Sequence, residues 1–302
     1  MIPLKTTHSP SEAPPAIKIL AVYLAVSSLA AVFAWATSQT GGVFVVAHAV
    51  ALIAVGLLVV AGRSGALLDW LPLVAIPLLY AELPRIAIGQ LRDPIVQRWE
   101  GMVFGASPAQ MAAAHWPNAL LSESLHATYL SYYAIIYGPP LLLYVRGQLP
   151  EFRRTVAGLM LMFAICYVIF IAFPVAGPRY EWTAPRLVFD GPVRRLVLRV
   201  LAAGSSRGTA FPSSHVAVAT VQSVLAFRWS RRTGLLLCAL TSCLAIAAVY
   251  GGFHYGVDVL AGSSLGLVIG LALVFADHDV LARRFAAVAV PIQGVDEPAR
   301  GV

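Results

Sequence analysis

Apolar stretches close to the roughly 20 residues that cross a bilayer as a helix recur from Ile17 almost to Phe275, and no long polar segment separates them. Judged by apolar length and flanking charge, the candidate spans are 17–37, 43–62, 67–87, 126–146, 155–175, 210–228, 234–252 and 256–276. The third is the weakest, because it holds Asp69, Pro72, Pro77, Glu82 and Arg85. It reads as a span or as a broken, re-entrant segment whose freed backbone groups protein must cover. The runs are continuously apolar and rich in Ala and Leu, without the alternation of barrel strands. The pattern therefore predicts an all-α, polytopic transmembrane helix bundle of seven or eight spans. Residues 1–16 read as a polar tail, 17–276 as one integral membrane domain and 277–302 as a second tail. Ala34-Trp35-Ala36 passes for a signal-peptidase site, but the polar lead is long for a signal peptide and the run fits a full span.

Composition agrees. Of 302 residues, 59% are hydrophobic and only 12% charged, against about 25% charged in soluble domains, which excludes disorder and argues against a soluble enzyme. The net charge of +7 comes from arginines in the connections. It suits anionic lipid head groups; nucleic acid is not an expected partner, since no basic domain with stacking aromatics is visible. With eight spans, Lys18, Arg63, Arg146, Arg153, Arg154, Arg228, Arg231 and Arg232 fall on one side, mostly in short connections, so that side is predicted to be cytoplasmic. The other side carries the long loops 88–125 and 176–209. In the second, Asp190-Gly191-Pro192 precedes Val193, Leu196, Val197, Val200 and Leu201 at helical spacing, with Gly204 as a stop, which predicts a short amphipathic helix in the interface or packed over the bundle. Cys166, Cys238 and Cys243 lie in apolar stretches and read as small core residues.

Histidines and carboxylates are expensive at membrane depth, so those beside spans are the candidates for chemistry. His8, His48, His115 and His126 read as tail, packing or interfacial residues. His215 ends the run Arg207-Gly208-Thr209-Ala210-Phe211-Pro212-Ser213-Ser214-His215, where a span begins. Free backbone N–H groups, the positive helix end and the Ser213 and Ser214 hydroxyls there make an anion cradle suited to phosphate; a plain capped helix start is the alternative. His254 and Asp258 are four apart and share a helix face, so the carboxylate accepts from one imidazole nitrogen and leaves the other as base or nucleophile. A zinc pair competes, but two ligands are too few. Arg179, His215 and His254 all fall on the same membrane face in this topology, the noncytoplasmic one.

On these residues the stretch from about Leu120 to Ala276 resembles the type 2 phosphatidic acid phosphatase superfamily. Phe211-Pro212-Ser213-Ser214-His215 resembles its Pro-Ser-x-His element, and His254-Tyr255-Gly256-Val257-Asp258 its His-x-x-x-Asp element. Leu121-Ser122-Glu123 and Tyr129-Leu130-Ser131-Tyr132-Tyr133 are similar to the branch of inositol phosphorylceramide synthases. The chain departs from the phosphatase pattern where a Lys is expected at Ala172, a Pro at Tyr180, and Ser-Arg at Ala247-Ala248. Two phosphate-binding cations are thus replaced, and loss of the second is also a feature of the phosphotransferase branch.

The resemblance implies a six-helix core. It implies that His254, polarised by Asp258, attacks a lipid phosphorus to give a phosphohistidine while His215 protonates the leaving oxygen. Arg179, Tyr180, Arg207, Ser213 and Ser214 are expected to hold the phosphate, and no metal or other cofactor is expected. The expected partners are a phospholipid donor and a lipid acceptor within the bilayer, as in inositol phosphorylceramide synthesis. A lipid phosphate or polyprenyl pyrophosphate phosphatase using the same residues is the alternative. A proton-coupled transporter is disfavoured, since the ionisable groups sit at span ends and no internal repeat is seen. Ala-rich usage with Arg far above Lys points to a GC-rich bacterium, hence an inner-membrane location.

Overall fold

The computed structural model describes residues 13–38, 42–61, 65–182 and 191–288. His8, Asp190 and most of both tails lie outside them. The described residues form twelve helices: α1 (Pro15–Ser38), α2 (Gly42–Val60), α3 (Ala66–Ile86), α4 (Asp93–Phe104), α5 (Pro108–His115), α6 (Ala119–Val145), α7 (Leu149–Ala172), α8 (Pro178–Glu181), α9 (Pro192–Gly204), α10 (Ser214–Ala226), α11 (Arg231–Tyr250) and α12 (Gly256–Val288). No strand forms among them, and a single parallel bridge joins Val175 to Thr209. The protein is an all-helical membrane protein: α1, α2, α3, α7, α11 and α12 are each long and apolar enough to cross a bilayer. The 27-residue α6 and the 13-residue α10 occupy the other two expected positions.

The outer surface shows why so much of the chain is apolar. Val43, Val46, Val50, Ile53, Leu57 and Val60 form one exposed row along α2, spaced three and four apart as on one helix face. Lipid, not a protein core, is the environment such a face requires. Cys238 and Cys243 share that exposure, and only Cys166 is a core residue.

Several expectations change. The segment 67–87 is one continuous helix with Pro72, Pro77 and Pro84 inside it, and both of its carboxylates find partners on other helices. Asp69 takes a forked pair from Arg153 (2.7 and 3.3 Å), and Glu82 lies 2.9 Å from His48 Nε2. His48 is therefore paired across helices. The first long loop contains α4 and α5, and α12 runs on past residue 276. The helix expected after Gly191 forms as α9, packed over α6 by its buried Val197 and Leu201.

Two features set the position of the site. Gly262, Gly266 and Gly270 face α10 one turn apart, and a Cβ at the first two would run into the backbone carbonyls of Ser213 and Ala217. α12 therefore approaches α10 backbone to backbone. α10 is also short: its 13 residues span about 20 Å, against about 30 Å for the 20 residues of α11 that follow after a tight turn. The start of α10 thus lies about 10 Å below the end of the bundle.

Candidate active site

His254 sits in the turn between α11 and α12, which folds inward as the Phe253 and His254 N–H groups both donate to the Ala248 carbonyl. Its Nδ1 lies 3.0 Å from the Ala210 carbonyl and 3.4 Å from Asp258 Oδ2. A carbonyl only accepts, so Nδ1 carries the proton and the lone pair is on Nε2. Asp258 is fully buried, and the Tyr255 N–H donates to its Oδ2 (2.8 Å). The Ser213 N–H donates to the Asp258 carbonyl (3.0 Å), tying the start of α10 to α12.

His215, in the first turn of α10, faces His254 with ring centroids 5.7 Å apart. Tyr129 and Tyr132 of α6 pack on its ring at 5.3 and 4.1 Å between centroids, and the Tyr129 hydroxyl is 3.3 Å from Nε2. The N-terminal N–H groups of α10 have no helical acceptor, and the Ser213 side chain makes no capping bond.

His215, His254, Arg179, Tyr180 and Ser214 line one cavity of about 150 Å³, with Asp258 behind His254. Two of the expected phosphate-holding groups stand apart. Ser213 is buried beneath the cavity floor, its hydroxyl without a partner among the described residues. Arg207 is 58% exposed on the rim, 3.9 Å from Glu181 and with its guanidinium 5.8 Å from the Tyr180 ring centre. Arg179 lies over the same ring at 4.5 Å and donates to the Tyr180 hydroxyl (2.8 Å).

Three carboxylates of the segment 88–125 organise these elements. Asp93, at the start of α4, accepts from the Ala176 and Gly177 N–H groups (2.8 Å each) and from the Tyr255 hydroxyl (3.0 Å). One side chain thus joins the Arg179 turn to the His254 turn. Gly177 sits there at φ 94°, a left-handed conformation that favours glycine. Burial, more than the facing Asp93 carboxylate, pushes the Tyr255 phenol up, so it remains a donor. Glu123 of α6 accepts from the Val193 and Arg194 N–H groups and caps α9.

Glu100 of α4 accepts from the Val257 N–H (3.3 Å), capping α12, and from the Ser107 hydroxyl (3.0 Å). Burial pushes its carboxyl above the ordinary range, outweighing these hydrogen bonds. A carboxyl raised in the folded state costs stability as pH climbs through its titration and costs nothing below it. The thermal midpoint of Glu100→Gln, minus that of the parent, is therefore expected to rise between pH 4 and pH 7. Melts in detergent micelles read it directly, and a difference independent of pH would contradict the raised carboxyl.

Neither a search among curated proteins nor one among solved structures returns a significant match. A family model described as PAP2 superfamily matches residues 95–272, more than half of the chain, and that stretch runs from α4 to α12 and holds both histidines, Asp258 and Arg179. The chain therefore belongs to the PAP2 superfamily.

Proposed function

We propose that the protein is a lipid phosphotransferase of the inner membrane, working through a phosphohistidine on His254 at the noncytoplasmic face. Superfamily membership carries the coarser statement, an enzyme of phosphatase or phosphotransferase chemistry. The observation that carries the finer one is the fixed ring of His254, with Nδ1 held by Ala210 and Asp258 and the lone pair on Nε2.

In the first half-reaction Nε2 attacks the phosphorus of a phospholipid. The bond from phosphorus to the glycerol oxygen breaks, and His215 delivers a proton to that oxygen. In the second half His215 takes the proton of an acceptor hydroxyl, whose oxygen attacks phosphorus and breaks the P–N bond. Asp258 and the Ala210 carbonyl hold the ring throughout. Arg179, the Ser214 hydroxyl and the free N–H groups of α10 face the phosphoryl oxygens, where negative charge is stabilised.

Two features support transfer to a lipid hydroxyl over transfer to water. The replaced cations at Ala172 and Ala247-Ala248 depart from the phosphatase pattern. The cavity is walled by Ile76, Ile136, Phe163 and several tyrosines, a largely apolar lining that favours a lipid acceptor over water.

The test is to incubate purified protein in mixed micelles with phosphatidylinositol labelled at phosphorus, with and without ceramide, and to follow the label by thin-layer chromatography. Label moving to a ceramide product is the expected result. Release as water-soluble phosphate or phosphoalcohol, indifferent to ceramide, would replace the transferase with a hydrolase on the same residues.

A further inference from the structure

Seven of the chain's eleven tyrosines line the cavity. Six belong to the family-matched stretch; Tyr80, on α3, does not. Its hydroxyl is also committed differently from one that would greet a substrate. It lies 2.7 Å from Thr209 Oγ1 and accepts from the Ser206 N–H (3.3 Å). Thr209 Oγ1 spends its own proton on the Ser206 carbonyl (2.7 Å), so the Tyr80 hydroxyl is the donor to Thr209. The Ser206 hydroxyl in turn donates to the Tyr80 carbonyl (3.3 Å). One residue of α3 thus grips the loop between α9 and α10 from both its backbone and its side chain.

That loop ends at the carbonyl that orients the nucleophile. Thr209 precedes Ala210, whose N–H donates to the Val175 carbonyl (2.9 Å) and whose carbonyl accepts from His254 Nδ1. The Gly208 carbonyl accepts from the Val175 N–H (3.1 Å) on the other side of the same bridge. We infer that Tyr80 is a positioning residue of the active site: its hydroxyl sets the 206–210 loop and, through the Ala210 carbonyl, the ring of His254. This role rests on the phosphohistidine reading above. Since the phenol's single proton goes to Thr209, none is left to donate to a substrate. Its removal therefore affects turnover and leaves substrate binding in place.

Tyr80→Phe keeps the ring in the cavity wall and removes only the hydroxyl. On the donor that the parent turns over, kcat is expected to fall about tenfold with KM within about twofold. Thr209→Val is expected to do the same, and the double variant to fall no further than either single one, because one contact is being removed twice. Tyr23→Phe, which deletes a buried hydroxyl of α1 outside the cavity lining, is expected to match the parent.

A loss in KM alone, no loss at all, or additive losses in the double variant would overturn the role of Tyr80. A parent without turnover on labelled phosphatidylinositol or phosphatidic acid would instead sink the phosphotransfer reading. Hydrogen exchange decides the loop contact in either event. Peptides covering Val175 and Ala210 are expected to exchange several-fold faster in Tyr80→Phe, and unchanged rates would overturn the inference without any assay of activity.

Discussion

His254→Ala is expected to lose on the order of 10⁴-fold or more in turnover while still binding lipid phosphate. The expectation follows from how the ring is held. Ala210 and Asp258 take Nδ1, so in the proposed mechanism Nε2 is the group left to attack phosphorus, and Ala offers nothing in its place. Binding survives because Arg179, Ser214 and the first N–H groups of α10 remain. A general acid or base is worth about 10² to 10⁴, so His215→Ala is expected to be the milder lesion. Rapid quenching of the parent with phosphorus-labelled donor is expected to leave label on the protein that is stable to alkali and labile to acid, as a phosphoramidate is. The same quench of His254→Ala is expected to leave none. Turnover above a hundredth of the parent's in His254→Ala would remove this residue from the nucleophile's role.

Gly266→Leu is expected to cost about 3 kcal/mol of stability, or to prevent folding altogether. In lipid no hydrophobic drive pulls helices together, so the α10–α12 pair holds by close contact. At Gly266 the first added carbon meets the Ala217 carbonyl and Thr220 Cβ. A carbonyl in a helix does not swing aside; α10 itself must shift, and with it His215. Gly56→Leu is the matched control, since nothing lies within 4 Å of a Cβ there and the position is exposed on α2. Thermal melts in micelles are expected to show a large drop for the first and little change for the second. Equal behaviour would mean that the glycine row does not set the helix approach.

The helices and the two histidines were legible in the sequence because their signals are local. Apolar length marks a span wherever it occurs, and a His four residues before an Asp marks a pair, although His254 meets Asp258 from the turn before α12 and not, as the spacing predicts, from a shared helix face. What stayed hidden depends on partners far away in the chain. Asp93 and Glu100 carry no local mark of their roles, because the N–H groups that they accept from belong to residues 83, 84 and 157 positions on. The acceptor that fixes His254 is a backbone carbonyl, Ala210, and no side-chain pattern encodes it. His48 reads as a packing residue for the same reason: Glu82, its partner, is on another helix. The glycine row on α12 was in plain view as a four-residue repeat, but its meaning requires knowing which helix lies opposite. Ser122-Glu123 and the tyrosines after it entered as family likeness; in the fold Glu123 caps α9 and Tyr129 and Tyr132 hold the His215 ring.

The shortness of α10 leaves the membrane undisturbed. A helix of about 20 Å is shorter than a hydrocarbon slab of about 30 Å, whereas α7 and α11 are long enough to cross it. Yet ten of the 13 residues of α10 are buried among α6, α7, α11 and α12, so protein and not lipid surrounds the missing turns. The bilayer has no mismatch to relieve there. The recess is a feature of the bundle's interior, held at the same depth in thin and thick membranes.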